Sequence, residues 1–185
     1  MKTVKDKLHK ETIIIAGYGG QGILFGGLVL SQSAMNSGLH TTFFPAYGAE
    51  IRGGTANCTV VLSTTEIGSP FVVSPDSLII MNDVAVNTFL PRLKPGGLII
   101  VNTSLFKNQI TRTDIKVVSV PATELAEQSA GLTQSANLLM LGIYIKQKGI
   151  IPLDNLLQAA EFGLRYKANL IPANQQAIKC GYNYL

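Results

Sequence analysis

The chain has 185 residues, enough for one α/β domain with a full core and too few for two domains of ordinary size. It contains no apolar run of the roughly 18 residues that a membrane span needs, and the apolar stretch after the first lysines is far too short for the core of a secretory signal. The expectation is a cytoplasmic protein. Its net charge of +4 sits largely in the first ten residues, where Lys2, Lys5, Lys7 and Lys10 face a single acid, Asp6. The remaining body is near neutral and offers no clustered basic face for a nucleic acid. Residues 1–11 therefore read as a flexible basic tail and residues 12–185 as a single domain.

Ile13 to Ala16 is a β-branched run that ends in Gly17-Tyr18-Gly19-Gly20-Gln21-Gly22. A helix is predicted from about Gln21 to Asn36, stopped by Ser37-Gly38. A strand from His40 to Phe44 ends at Pro45, residues 46–56 read as an irregular glycine-rich loop, and Asn57 to Ser63 returns to strand. Turns at Ser69-Pro70 and Ser74-Pro75 precede a strand at Leu78 to Met81 and a short helix at Val84 to Leu90. Strands follow at Leu98 to Val101 and Lys116 to Val120. Helices are predicted at Thr123 to Ser129, Ser135 to Gln147 and Leu153 to Arg165, with a shorter one at Asn174 to Gly181. Several strands are continuous apolar runs, as strands buried on both faces are. The predicted fold class is α/β: a single three-layer domain with a mostly parallel, Rossmann-like sheet flanked by helices.

Charged residues make up 14% of the chain, against about 25% in ordinary soluble domains. Surfaces buried against other chains are depleted in charge, so this composition points to a subunit. The two cysteines, Cys58 and Cys180, cannot supply the four thiolates of an iron–sulfur cluster. No CxxC or histidine spacing suggests zinc, and no acid cluster suggests a Mg²⁺ site for a diphosphate. Asn82-Asp83 is read as a helix N-cap and not as a catalytic pair.

Gly17, Gly19 and Gly22 spell GxGxxG between a strand and a helix, the context of a dinucleotide fingerprint. Such a site also requires an acid about 20 residues on, to hold the ribose hydroxyls. No Asp or Glu occurs between Gly17 and Glu50, and the first Arg is Arg52. Gly17, Gly19, Gly20, Gln21 and Gly22 are therefore read as an anion-binding or partner-contacting loop, with an NAD(P)-binding domain as the rival. The segment Pro45-Ala46-Tyr47-Gly48-Ala49-Glu50-Ile51-Arg52-Gly53-Gly54 combines three glycines with a carboxylate and a guanidinium. Tyr47, Glu50, Arg52, Gly53 and Gly54 are the candidate partner or active-site residues, against the alternative of a solvated loop with a weak ion pair.

Together, GxGGQG at Gly17 to Gly22 and E-x-R-G-G at Glu50 to Gly54 resemble the γ subunit of 2-oxoacid:ferredoxin (acceptor) oxidoreductases. Thr55-Ala56-Asn57, Ile67-Gly68-Ser69-Pro70, Pro121-Ala122-Thr123-Glu124, and Asn137 with Met140-Leu141-Gly142 extend the likeness over residues 12 to 181. The Arg-Gly-Gly-Thr-Ala wording resembles the 2-oxoglutarate and branched-chain types more than the pyruvate type. The resemblance implies a complex that oxidatively decarboxylates a 2-oxo acid with coenzyme A to an acyl-CoA. Thiamine diphosphate and Mg²⁺ lie on α and β subunits, and iron–sulfur clusters pass electrons to ferredoxin, with a ferredoxin-like δ subunit as a further partner. This chain is the accessory γ component, without cofactor or catalytic residue of its own, on the coenzyme A side of the active site. The small subunit of indolepyruvate oxidoreductase is the alternative within the same class.

Overall fold

A computed structural model describes residues 9–47 and 55–184. Six strands form one sheet: β1 (Lys10–Tyr18), β2 (His40–Tyr47), β3 (Thr55–Ser63), β4 (Ser77–Ile80), β5 (Leu98–Asn102) and β6 (Lys116–Val120). Their spatial order is β2-β3-β1-β4-β5-β6. β1, β4, β5 and β6 run parallel, while β3 lies antiparallel to both β1 and β2. Six helices complete the fold: α1 (Ile23–Asn36), α2 (Asp83–Phe89), α3 (Ala122–Ala130), α4 (Ala136–Lys148), α5 (Leu153–Gly163) and α6 (Ile171–Tyr182).

Alternation along the strands sorts the core into two layers, because successive side chains point to opposite faces. Ile13, Ile15, Cys58, Val60, Leu62, Ile79, Ile100 and Val118 face one side, under α1, α3, α4, α5 and α6. Ile14, Ala16, Leu78, Ile80, Ile99 and Val101 face the other, under α2 and the chain around Leu93 and Phe106. The apolar runs of β1, β4 and β5 therefore reflect burial on both faces. Edge strand β6 alternates instead, with Val118 and Val120 buried and Lys116, Val117 and Ser119 exposed.

The expected mostly parallel α/β architecture is what the structure has, with differences in detail. β1 starts at Lys10, inside the stretch read as tail, because Glu11 is buried and tied to the domain. Its Oε1 accepts from Ser77 Oγ at 2.6 Å and lies 2.7 Å from Lys148 Nζ, with the Tyr144 hydroxyl at 3.4 Å. β2 continues past Pro45 to Tyr47. Proline lacks only a donor, and β2 is an edge strand that pairs on one side alone.

α4 and α6 pack unusually closely through two glycines. A Cβ at Gly181 would run into the backbone carbonyl of Leu139, and one at Gly142 into that of Ile178. Next to this pair, Tyr144 is fully buried, and its hydroxyl pKa is raised well above the ordinary value by burial and by Glu11.

At the opposite end of the sheet from the glycine loop, Asp76 clamps β4 to β1. Its Oδ2 accepts from Thr12 N–H at 2.9 Å and from the Thr12 hydroxyl at 2.5 Å, and its Oδ1 lies 2.6 Å from Lys94 Nζ. Partial burial opposes ionisation, but the bonds from Lys94 and Thr12 outweigh it and hold this carboxyl below the usual carboxylate range. A depressed folded-state pKa contributes stability above the unfolded value, lost as pH falls through the folded value. Asp76→Asn should therefore lower stability at pH 7 and flatten its decline in acid. Chemical denaturation of both proteins between neutral and acid pH checks this, and parallel curves would refute the clamp.

Candidate functional site at the carboxyl edge of the sheet

β1 leads into α1 on one face of the sheet, while β4 leads into α2 on the other. The connections diverge between these neighbouring parallel strands. In open α/β sheets the crevice outside the carboxyl ends of strands at such a switch point is where ligands bind. The first loop singled out in the sequence and the two described ends of the second lie at this edge. Residues 19–22 follow β1 directly. The 48–54 segment joins β2 to β3, and the register pairs Tyr47 with Ala56, Ala56 with Gly17, and Thr55 with Tyr18. The described ends of the second motif thus lie beside the first. Glu50, Arg52, Gly53 and Gly54 themselves fall outside the described residues, and of Tyr47 only the backbone is described.

The glycine loop is held from within. Gln21 Oε1 accepts from Tyr18 N–H at 2.6 Å and lies 3.5 Å from Asn82 Nδ2, while Gln21 N–H donates to Tyr18 O at 3.2 Å. A carboxamide oxygen thus takes a loop amide that would otherwise be free for an anion. Gly17 has no room for a side chain, since a Cβ there would lie 2.5 Å from Gln21 Oε1 and 2.8 Å from Met81. Gly22 caps α1 in the left-handed region at φ 69°, where a side chain is strained. Its carbonyl accepts from Asn137 Nδ2 at 2.8 Å, and a Cβ on Gly22 would collide with that same carboxamide. Gly20 is exposed at φ 91° with open space around it.

Two neighbouring strand ends carry buried asparagines. Asn82 caps α2 as expected, its Oδ1 accepting from Ala85 N–H at 2.9 Å. Asn102, fully buried, accepts from the Ala122 and Ser104 amides at 3.0 and 3.2 Å and donates to Thr123 Oγ1 at 2.9 Å. The sequence reading missed the roles of Asn102 and Asn137. An asparagine at the end of an apolar strand was the available signal for the first. Asn137 lies far from Gly22 in sequence, so only the tertiary contact reveals it.

Two hollows open on this edge. The smaller, about 190 Å³, lies among Gly20, Gln21, Met81, Leu105, Thr123, Thr133, Gln134 and Ala136 and holds no titratable side chain. The larger, about 590 Å³, runs past Gly22 and Asn137 to Lys167 and Asn174. His40 begins β2 and so lies at the far end of the sheet from both loops. Cys58 is buried beneath α1, its Sγ 3.6 Å from Ile23 O, and burial pushes its thiol up to about 12, leaving it protonated and inert at neutral pH. Among the described residues no three His, Cys, Asp or Glu side chains converge as a metal site would require. Nor is any described helix long and apolar enough to cross a membrane. The donor set among the described residues fits neither an iron–sulfur cluster nor Mg²⁺-bound thiamine diphosphate.

A family model described as pyruvate ferredoxin/flavodoxin oxidoreductase matches residues 12–184. The ketoisovalerate oxidoreductase subunit VorA of Methanothermobacter marburgensis is 36% identical over 184 residues, a match covering 98% of this chain and 38% of that protein. The chain therefore spans well under half of that relative's length. The 2-oxoglutarate synthase subunit KorC of Methanothermobacter thermautotrophicus is 37% identical over 148 residues, covering 77% of this chain and 78% of the relative. Among solved structures, the γ subunit of a keto/oxoacid ferredoxin oxidoreductase from Geobacter sulfurreducens superposes with a TM-score of 0.83 over 94% of both chains, at 21% identity. A 2-oxoglutarate:ferredoxin oxidoreductase from Magnetococcus marinus, solved with 2-oxoglutarate, coenzyme A and succinyl-CoA, gives 0.85 over 94% of this chain and 30% of its own, also at 21% identity. These structural likenesses establish the fold, and the sequence matches establish the kinship: the chain belongs to the pyruvate ferredoxin/flavodoxin oxidoreductase family.

Proposed function

We propose that the chain is the γ component of a cytoplasmic, multi-subunit 2-oxoacid:ferredoxin oxidoreductase of the 2-oxoglutarate or branched-chain type. In it a 2-oxo acid is decarboxylated oxidatively with coenzyme A to an acyl-CoA. The carrying observation is the register that brings the Gly17–Gly22 loop and both ends of the 48–54 segment together at the carboxyl edge of the sheet. Among the described residues the smaller hollow at that edge is lined by backbone, carboxamides and hydroxyls, which suit binding and positioning. Thiamine diphosphate, Mg²⁺ and the clusters then belong to α, β and ferredoxin-like δ components. Coenzyme A would be met at the interface by the two motif loops, with the Arg52 guanidinium offering a carboxylate or phosphate a planar fork that Lys cannot copy.

The test reconstitutes the chain with those components and follows coenzyme A-dependent dye reduction by 2-oxoglutarate and by branched-chain 2-oxo acids. The isolated chain should be inactive even with thiamine diphosphate and coenzyme A added. Arg52→Ala should lower turnover in the complex at least tenfold, and Arg52→Lys less, while the free chain's melting temperature moves by no more than about 2 °C, the outcome expected of a residue that acts on a partner and not within its own fold. Turnover by the isolated chain would refute the accessory role, and full activity of the Arg52→Ala complex would remove that residue from it.

A further inference from the structure

Between Glu11 and Glu50 the sequence carries no Lys, Arg, Asp or Glu. Within this stretch β1 and much of β2 are accounted for by the sheet, but α1 is not. One side of α1 packs on the sheet through Ile23, Val29, Leu30 and Ala34. The outer side is open and uncharged, with Leu28 52% and Met35 57% exposed beside the hydrogen-bonded Gln32 and Asn36 side chains. Leu28 and Met35 are seven residues apart and so share one face of the helix. Alongside it, α5 and the residues after it leave Phe162 56% and Tyr166 86% exposed. Between the two helices runs a groove of about 230 Å³ whose only charged lining residue is Arg165. The Arg165 guanidinium stacks on the rings of Phe162 and Tyr166, 4.3 and 4.5 Å from their centroids, and donates from Nη1 to Phe162 O at 2.8 Å. Among the described residues it has no carboxylate partner. The nearby acid Glu161 turns away, accepting from Gln175 of α6 at 3.4 Å.

We propose that the α1/α5 groove is a protein-docking face that receives an apolar segment bearing a carboxylate from another component of the complex, the carboxylate meeting Arg165. This rests on the reading of the chain as a γ component. Large aromatic and arginine side chains beside an uncharged helix face are what the energetic centre of an interface looks like. Charge complementarity selects a different chain over a second copy. A two-fold interface uses the same patch on both sides, and the acid beside this patch, Glu161, is already engaged with Gln175. The groove shares Phe25 and Gly163 with the larger hollow at the carboxyl edge. A segment seated here would therefore lie against the rim of the candidate site.

The test places a photo-cross-linking amino acid at position 28 or 162 in the assembled complex, with one at position 117 on the far sheet edge as control. Mass spectrometry of the cross-linked peptides reads the result. Cross-links from 28 and 162 into an Asp- or Glu-bearing segment of another component are expected. Arg165→Glu should weaken assembly at least tenfold, with the melting temperature of the free chain unchanged within about 2 °C. Cross-links only to a second copy of this chain, none from either position in an intact complex, or unchanged assembly of Arg165→Glu would each overturn the proposal. In those cases an active complex leaves the γ assignment standing, whereas failure of the wild-type chain to assemble at all removes both.

Discussion

Gly181→Ala should lower the melting temperature by about 4–12 °C, the largest effect expected of an added methyl group at the described glycines. The new Cβ would be driven into the Leu139 carbonyl of α4. Backbone cannot step aside as a flexible side chain can, so α4 and α6 would have to separate along their shared face. Overpacking a core costs about 1–3 kcal/mol and occasionally more. With backbone as the obstacle we expect about 3 kcal/mol, at roughly 2–4 °C per kcal/mol for a domain of this size. Alanine's better helix propensity offsets at most about 1 kcal/mol of that. Gly142→Ala, facing the Ile178 carbonyl, should behave alike. The exposed Gly68, which a Cβ would leave without any close neighbour, is the control. A loss below about 2 °C at Gly181 would mean that the helices part freely.

Glu11→Ala should cost about 3 kcal/mol, near the lower end of the roughly 3–5 kcal/mol for breaking a buried pair by removing one partner. It strands the Lys148 ammonium and the Ser77 hydroxyl, both within 2.7 Å of Glu11 Oε1. The lower end applies because the Lys148 side chain remains 24% exposed and can recover some water. Pairing Glu11→Ala with Lys148→Met should restore part of the loss, since no unmatched cation then remains. Thermal or urea unfolding of the two single variants and the double variant gives the coupling directly. A double variant as unstable as the two losses added together would show that the contact contributes nothing as a pair.

Glu11 also shows where reading the sequence stops. Its neighbours Lys5, Lys7 and Lys10 look like a solvated run, and nothing local says that an acid in this position is drawn into the domain by a lysine more than a hundred residues on. The apolar strands were legible because burial on both faces of a parallel sheet leaves a signature in consecutive residues, as in Ile13-Ile14-Ile15. The antiparallel placement of β3 between β2 and β1 was not, because strand order depends on pairing between distant segments. At the candidate site, the glycines announced a tight turn and Asn82 announced a helix cap, both local properties. That Gln21 satisfies the loop's own amide became visible only with the loop folded, when the carboxamide over Gly17 could be seen reaching back to Tyr18. The α/β class, the two loops and the kinship were therefore readable from the chain, while the contacts joining them across the sheet were not.

The position of β1 at the middle of the sheet also bears on the order of events when the chain folds. β2 and β3 are joined by a short connection and can zip as a hairpin, an event of microseconds. β1 has no such local partner: Lys10 pairs with Ser63 and Ile13 with Ser77. Its seat requires two large loops to close before any ladder bond repays their entropy. Until then one side of β3 is a bare row of amides and carbonyls beside the apolar Cys58, Val60 and Leu62, a template that any extended chain can join. Slow arrival of β1 at that vacancy should therefore lower the yield of native protein at high concentration, whatever the final stability.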